Sequence, residues 1–226
     1  MIKLDWIGMK VYHKRFVIIP LMVCFYGIFN VPVIIPIVAF CMLNFSVNPF
    51  AVEEKGKLDN LYLTLPVTRK AIVNARFGLS LLMQCIGLAA GTVITIILSN
   101  VLYGRTVFHY THTFKADFAV IFLLICGSLL LYAVMNLSIF PILFKIGYAK
   151  GKMFGFIIPV FAVSIMTGVL FTMWYSHNGF REWLLSVIEW SLAHTVWTAL
   201  ILLGASALLL AVSYMLSRKV YAKREF

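Results

Sequence analysis

Two histidines are the residues of this 226-residue chain whose spacing comes closest to a metal site. His109 and His112 are three positions apart, and two imidazoles at such a spacing can bind one Zn²⁺ ion. No cysteine or carboxylate stands beside them, so a metal ion there would need ligands from elsewhere in the chain. We therefore expect two solvated loop histidines and no bound metal, with a metal site as the alternative.

Two carboxylates raise the possibility of acid–base chemistry. Glu182 and Glu189 are seven residues apart, so on a helix they lie two turns from each other on one face. A pair of acids that acts on one substrate must lie closer together than that. We interpret both as a solvated helix edge and predict no catalytic site.

A nucleotide-binding loop is also missing. Gly151 and Lys152 resemble the end of a phosphate-binding loop, but Ile146 stands where its first glycine belongs and Met153 stands where serine or threonine should follow. The sequence therefore predicts a chain that is not an enzyme and binds no cofactor. If ATP drives the protein, a partner subunit must bind ATP and Mg²⁺.

The composition indicates a membrane protein. The chain is 62% hydrophobic and 12% charged, whereas about 25% of the residues of a soluble domain are charged. The formal net charge of +11 does not indicate nucleic-acid binding, because the basic residues flank apolar runs as membrane-flanking charges do. The four cysteines all lie inside apolar runs and form no CxxC motif, so we expect no disulfide.

The apolar runs predict an all-α fold with six transmembrane helices in one domain, residues 1–226. The first two runs are short against the roughly 20 residues that a span needs, so one long helix is the rival interpretation. A hairpin is preferred because it keeps the basic segments on both sides of it on one face of the membrane. The expected spans are residues 16–29, 33–47, 77–98, 118–144, 154–175 and 195–216, with residues 30–32 as the break between the first two.

Two further segments are predicted to lie on the membrane surface. Residues 1–15 form a basic amphipathic helix, and residues 176–194 are too polar to span but have one apolar face. With this layout, sixteen of the nineteen Lys and Arg residues fall on one side of the membrane. The positive-inside rule makes that side the cytoplasm, so both termini are expected there and residues 176–194 outside.

The largest charged segment of the first half is residues 53–76, between the second and third spans. Leu58, Leu61 and Leu65 follow the spacing of one face of a short helix. Pro66 interrupts that helix, and Thr68 is a suitable N-cap for a new helix that runs into the third span. The pattern predicts a surface helix, a break of a few residues, and then a span.

This segment resembles the first cytoplasmic loop of ABC-2-type permeases, the membrane subunits of a class of bacterial ABC transporters. The residues that carry the resemblance are the acidic–basic run from Glu53 to Asp59 and the motif Leu-Pro-Val-Thr-Arg that ends at Arg69. The resemblance implies a coupling helix that docks into a groove of the ATPase subunit. It assigns this contact to Glu53, Glu54, Lys57, Leu58, Leu61, Leu65, Pro66, Thr68 and Arg69.

The resemblance also implies a function. It predicts a permease in the bacterial cell membrane that exports an amphipathic or hydrophobic cargo, with a peptide favoured, as a pair with a second copy or a sister permease. The chain is similar in size and span layout to exporters of lantibiotics and drugs and to staphylococcal exporters of phenol-soluble modulins. The alternatives are a drug or lipid exporter and a membrane scaffold or sensor without transport. An ion-coupled carrier is disfavoured, since no span has an ionisable residue in its middle.

Overall fold

The computed structural model describes residues 31–55, 68–107, 110–111, 114–151 and 178–223, with residues 154, 157, 161, 165, 168–169, 172–173 and 175. This part of the chain is helical apart from loops and one two-residue antiparallel ladder. After a 3₁₀ turn, Val31–Val33, its elements are α1 (Ile34–Ser46), α2 (Asn48–Lys55), α3 (Arg69–Leu102), β1 (Thr106–Val107), β2 (Tyr110–Thr111), α4 (Phe118–Ile146), α5 (Asn178–Ala193) and α6 (Thr195–Ala222).

Four stretches of the described residues are long and apolar enough to cross a membrane: Val31–Glu54, Lys70–Leu102, Phe118–Ile146 and Thr195–Ala222. They correspond to the predicted second, third, fourth and sixth spans. The predicted surface helix at residues 1–15 and the first span lie outside the described residues. The fifth span is described only at scattered positions between 154 and 175, and these are helical.

The helix of the third span begins at Arg69, as the predicted Thr68 cap requires, and runs for 34 residues. Its apolar stretch is longer than predicted, since it extends over Lys70–Leu102 rather than residues 77–98. The prediction placed Arg76 outside the apolar layer because of its charge. In the structure Arg76 is inside the helix and buried, because it is paired with Glu53.

From α1 to α3 to α4, successive described spans run in opposite directions. Along α1 and α3, Ser46 meets Ser80 while Ile35 meets Gly91, so these two helices are antiparallel. By contrast, α4 and α6 are parallel. Asn136 bonds to Ser213, and the ring of Phe144 packs against that of Tyr221, both at a sequence offset of 77 residues.

The ends of α2, α4 and α6 and the start of α3 lie together at one end of the bundle. We call this the basic end, because its exposed side chains include several cations. The ladder β1–β2 and the first residues of α4 and α6 belong to the opposite end. The exposed cations of the basic end are Lys70, Lys145, Lys150, Arg218, Lys219 and Lys223.

Candidate coupling interface

The helix α2 carries the first two predicted coupling residues, and the structure turns the first of them inward. The Glu53 carboxylate lies 2.9 Å from the Arg76 guanidinium, Oε2 to Nη2. The Arg76 side chain is 2% exposed, and its guanidinium carbon lies 4.6 Å from the centre of the Phe50 ring. A buried charge is tolerated only with such partners. The pair therefore fixes the end of α2 to the second turn of α3.

An aromatic cluster holds this pair in place. The edge of the Phe50 ring meets Phe144, with ring centres 4.9 Å apart, and Phe140 at 5.8 Å. Phe144 in turn packs against Tyr221 of α6 at 5.2 Å. Edge-to-face contacts of this kind orient rings as well as burying them. Phe140 is therefore a packing residue between helices, rather than part of an open pathway.

Glu54 makes a different contact. It is exposed, and its Oε2 accepts a hydrogen bond from the backbone N–H of Ala149 at 2.8 Å. Ala149 lies in the short helical stretch that follows α4, 95 positions further along the chain. Adjacent acidic residues of α2 thus bind two different parts of the bundle.

Thr68 caps α3 as the sequence predicts. Its backbone is extended, with φ −75° and ψ 145°, and its Oγ1 accepts a hydrogen bond from the N–H of Ala71 at 3.3 Å. Arg69 is the first helical residue. The side chain of an N-cap residue satisfies one of the N–H groups that lack a helical partner. The Thr68 cap therefore fixes the residue at which α3 begins.

The rest of the predicted coupling helix lies outside the described residues. This concerns Lys57, Leu58, Leu61, Leu65 and Pro66, whose assigned roles stay predictions. The structure describes the two attachment points of the segment, Lys55 and Thr68.

A chain of buried hydroxyl and amide groups crosses the centre of the bundle. From α6 to α1 it runs through Ser213, Asn136, Tyr132, Ser80 and Ser46, all at most 3% exposed. The distances along it are 2.9, 3.2, 2.8 and 3.2 Å. One polar network therefore joins four helices.

The direction of these hydrogen bonds follows from proton counting. Ser46 donates its only hydroxyl proton to the carbonyl of Leu43 at 2.6 Å, so it must accept from Ser80. Ser80 has then used its proton and must accept from Tyr132. Tyr132 accepts from the amide nitrogen of Asn136, whose oxygen accepts from Ser213. Every hydroxyl has a partner, so the network specifies the helix register without leaving an orphaned donor.

We expect Asn136→Ala to lower the free energy of unfolding by about 1–3 kcal/mol, because it removes the buried amide that donates to Tyr132 and accepts from Ser213. The hydrogen bonds from Tyr132 to Ser80 and from Ser213 to the backbone carbonyl of residue 136 remain. The control is Ser138→Ala on the same helix, since the exposed Ser138 hydroxyl bonds only to the carbonyl of Val134 in its own helix. Denaturant unfolding in detergent measures the free energy of unfolding of both variants. Equal stability of the two variants would contradict a structural role for the network.

The polar residues of the third span differ in their contacts. Thr92 bonds to the carbonyl of Leu88 within its own helix. Gln84 and Thr95 are buried, and their side-chain polar atoms have no hydrogen-bond partner among the described residues. A buried amide without partners is costly, and the structure gives no physical account of Gln84.

Sequence reasoning assigned no role to Arg76, Phe50 or Ala149. The opposite charges of Glu53 and Arg76 were visible, but their separation of 23 residues across a loop hid the pairing. The Ala149 contact uses a backbone N–H, which carries no sequence signal. Both contacts follow from tertiary packing.

The structure brings no catalytic constellation together in its described part. No group of three or more His, Cys, Asp or Glu side chains there could hold a metal ion. The two loop histidines at positions 109 and 112 lie outside the described residues. Their predicted solvation stays a prediction.

A family model described as "ABC-2 family transporter protein" matches residues 1–222, nearly the whole chain. Searches of curated proteins and of solved structures find no match.

Proposed function

We propose that this chain exports an amphipathic or hydrophobic cargo. It belongs to the ABC-2 family and is a membrane permease of an ABC transporter. The energy comes from ATP hydrolysis on a separate subunit. Residues 53–76 receive that subunit and pass its movement to the spans. A peptide is the favoured cargo.

The observation that carries this proposal is the attachment of segment 56–67 at both ends. On one side the Glu53–Arg76 pair fixes α2 to α3, and on the other the Thr68 cap starts α3 directly. A force applied to this segment would therefore be transmitted to α3, a single helix of 34 residues. A helix transmits displacement along its axis because each turn is hydrogen-bonded to the next.

The positive-inside rule supports the cytoplasmic placement of the basic end. The described cations of the opposite end are Arg105, Lys115 and Arg181, fewer than those of the basic end. An ATPase subunit works in the cytoplasm, where ATP is available. Residues 53–76 would therefore face the compartment in which their partner resides.

The parallel packing of α4 and α6 supports a fifth span. Because α4 ends at the basic end and α6 begins at the opposite end, the chain between them has to travel the length of the bundle. Residues 154–175 are the long apolar run of that stretch, and 22 residues would reach about 33 Å as a helix. A hydrocarbon core is about 30 Å thick. With residues 16–29 as the first span, the proposed total is six.

The character of the spans supports the cargo class. Within the described spans, the buried charged side chains are Glu53 and Arg76, and both lie near the basic end. A proton or ion relay needs ionisable groups deeper than this. An amphipathic cargo taken from the inner leaflet would instead move along apolar surfaces. We propose that two permease copies, or this chain and a sister permease, enclose the pathway.

We expect Leu61→Asp to abolish ATP-dependent export while leaving membrane insertion intact, because a buried charge prevents docking into an apolar groove. The matched control is Leu63→Asp, which adds the same charge away from the predicted apolar stripe of that helix. Export from inverted vesicles that contain the ATPase subunit measures the effect. Unchanged export by Leu61→Asp would contradict the proposed contact.

A further inference from the structure

Two adjacent carboxylates at the end of α2 bind different elements of the bundle. Glu53 pairs with Arg76 inside α3. Glu54 accepts the hydrogen bond from Ala149, which lies beyond the end of α4. The same end of α2 therefore contacts both the helix that follows segment 56–67 and the chain that leads toward residues 154–175.

The chain that Glu54 contacts is separated from α4 by a break at Gly147. The φ of Gly147 is 79°, in the left-handed region that favours glycine, and its N–H bonds back to the carbonyl of Leu143 at 3.0 Å. Helical residues resume at Tyr148. Residues 148–151 are thus not a continuation of α4, although Gly151 lies against Leu143 and Tyr148 packs on the core.

The two contacts differ in their exposure to water. The Glu53 side chain is 10% exposed and the Arg76 side chain 2%, so separating them would strand a charge in an apolar site. Glu54 is exposed, and water can replace its hydrogen bond to Ala149. Breaking the first contact therefore costs more free energy than breaking the second.

We propose that Glu54 is a positioning residue that passes the movement of segment 56–67 to the chain after Gly147. In this arrangement the ATPase subunit moves two elements at once: α3 through Arg76 and Thr68, and the segment leading to the fifth span through Ala149. The inference rests on the proposed function, because it requires the ATPase subunit to act on segment 56–67.

The test uses the full permease with its ATPase subunit in lipid vesicles, and two distances between spin labels. After replacement of the native cysteines, labels are placed through Lys219→Cys on α6 with either Lys70→Cys on α3 or Lys150→Cys beside Ala149. All three lysines are exposed. ATP with vanadate is the probe. We expect both distances to change in the parent protein.

The decisive variant is Glu54→Ala. It should lose the nucleotide-dependent change at Lys150 and keep the change at Lys70, with unaltered thermal stability. Glu54→Gln, which retains an oxygen acceptor for the Ala149 N–H, should keep both changes.

A full response at Lys150 in Glu54→Ala would overturn the inference, while the response at Lys70 would still support the proposed function. No response at either position in the parent protein would overturn both.

Discussion

Replacing Arg76 with methionine is expected to lower the free energy of unfolding by about 3–5 kcal/mol, the usual cost of breaking a buried ion pair on one side. Methionine retains apolar volume in the place of the arginine stem. It leaves the buried Glu53 carboxylate without the guanidinium that lies 2.9 Å away in the native protein. The loss follows from the stranded charge rather than from a cavity.

The double variant Glu53→Gln/Arg76→Met separates these causes. Removing both charges of a buried pair is often close to neutral, so the double variant should recover most of the stability lost by Arg76→Met alone. Denaturant unfolding in one detergent measures both variants and the parent. A double variant as unstable as Arg76→Met would show that arginine packing, and not charge pairing, stabilises this end of the bundle.

Replacing Gly91 with valine is expected to separate α1 from α3 and to cost about 1–3 kcal/mol, as overpacking of a tight contact does. A Cβ atom at position 91 would lie 3.1 Å from the backbone Cα of Ile35, and backbone cannot rotate away as a side chain can. Small residues at such crossings let membrane helices approach closely, and van der Waals contact is a main source of their association.

The matched control for this variant is Gly204→Val on α6. A Cβ at Gly204 meets no atom within 4 Å in the described part of the chain, and the residue is exposed. It should therefore tolerate valine with little loss of stability. Thermal unfolding of both variants in detergent makes the comparison. A Gly91→Val protein as stable as Gly204→Val would contradict the close crossing of α1 and α3.

The local features of the fold could be predicted from the sequence. Thr68 is followed by a helix-forming run, and its predicted capping is confirmed at atomic detail because an N-cap depends on the adjacent turn alone. The helix in residues 176–194 is also confirmed, as Asn178–Ala193. This helix could be predicted because its apolar face and its flanking residues are properties of the segment itself. Its placement outside the membrane stays a prediction.

The long-range contacts could not be predicted in the same way. Arg76 was expected outside the apolar layer, since a lone arginine is costly there. Only the tertiary structure shows that Glu53 cancels its charge. The parallel register of α4 and α6 depends on serines and aromatic rings whose spacing is common in membrane helices. A pattern in one helix does not indicate which other helix it contacts.

The central claim is that this permease depends on a separate ATPase subunit that docks on residues 53–76. The most direct test is to purify the tagged chain in detergent from its native membrane and to assay ATP hydrolysis by the purified material. The account predicts that a vanadate-sensitive ATPase subunit co-purifies with the chain and is lost from the Leu61→Asp variant. A chain that purifies alone, without ATPase activity, would contradict the claim and favour a membrane scaffold.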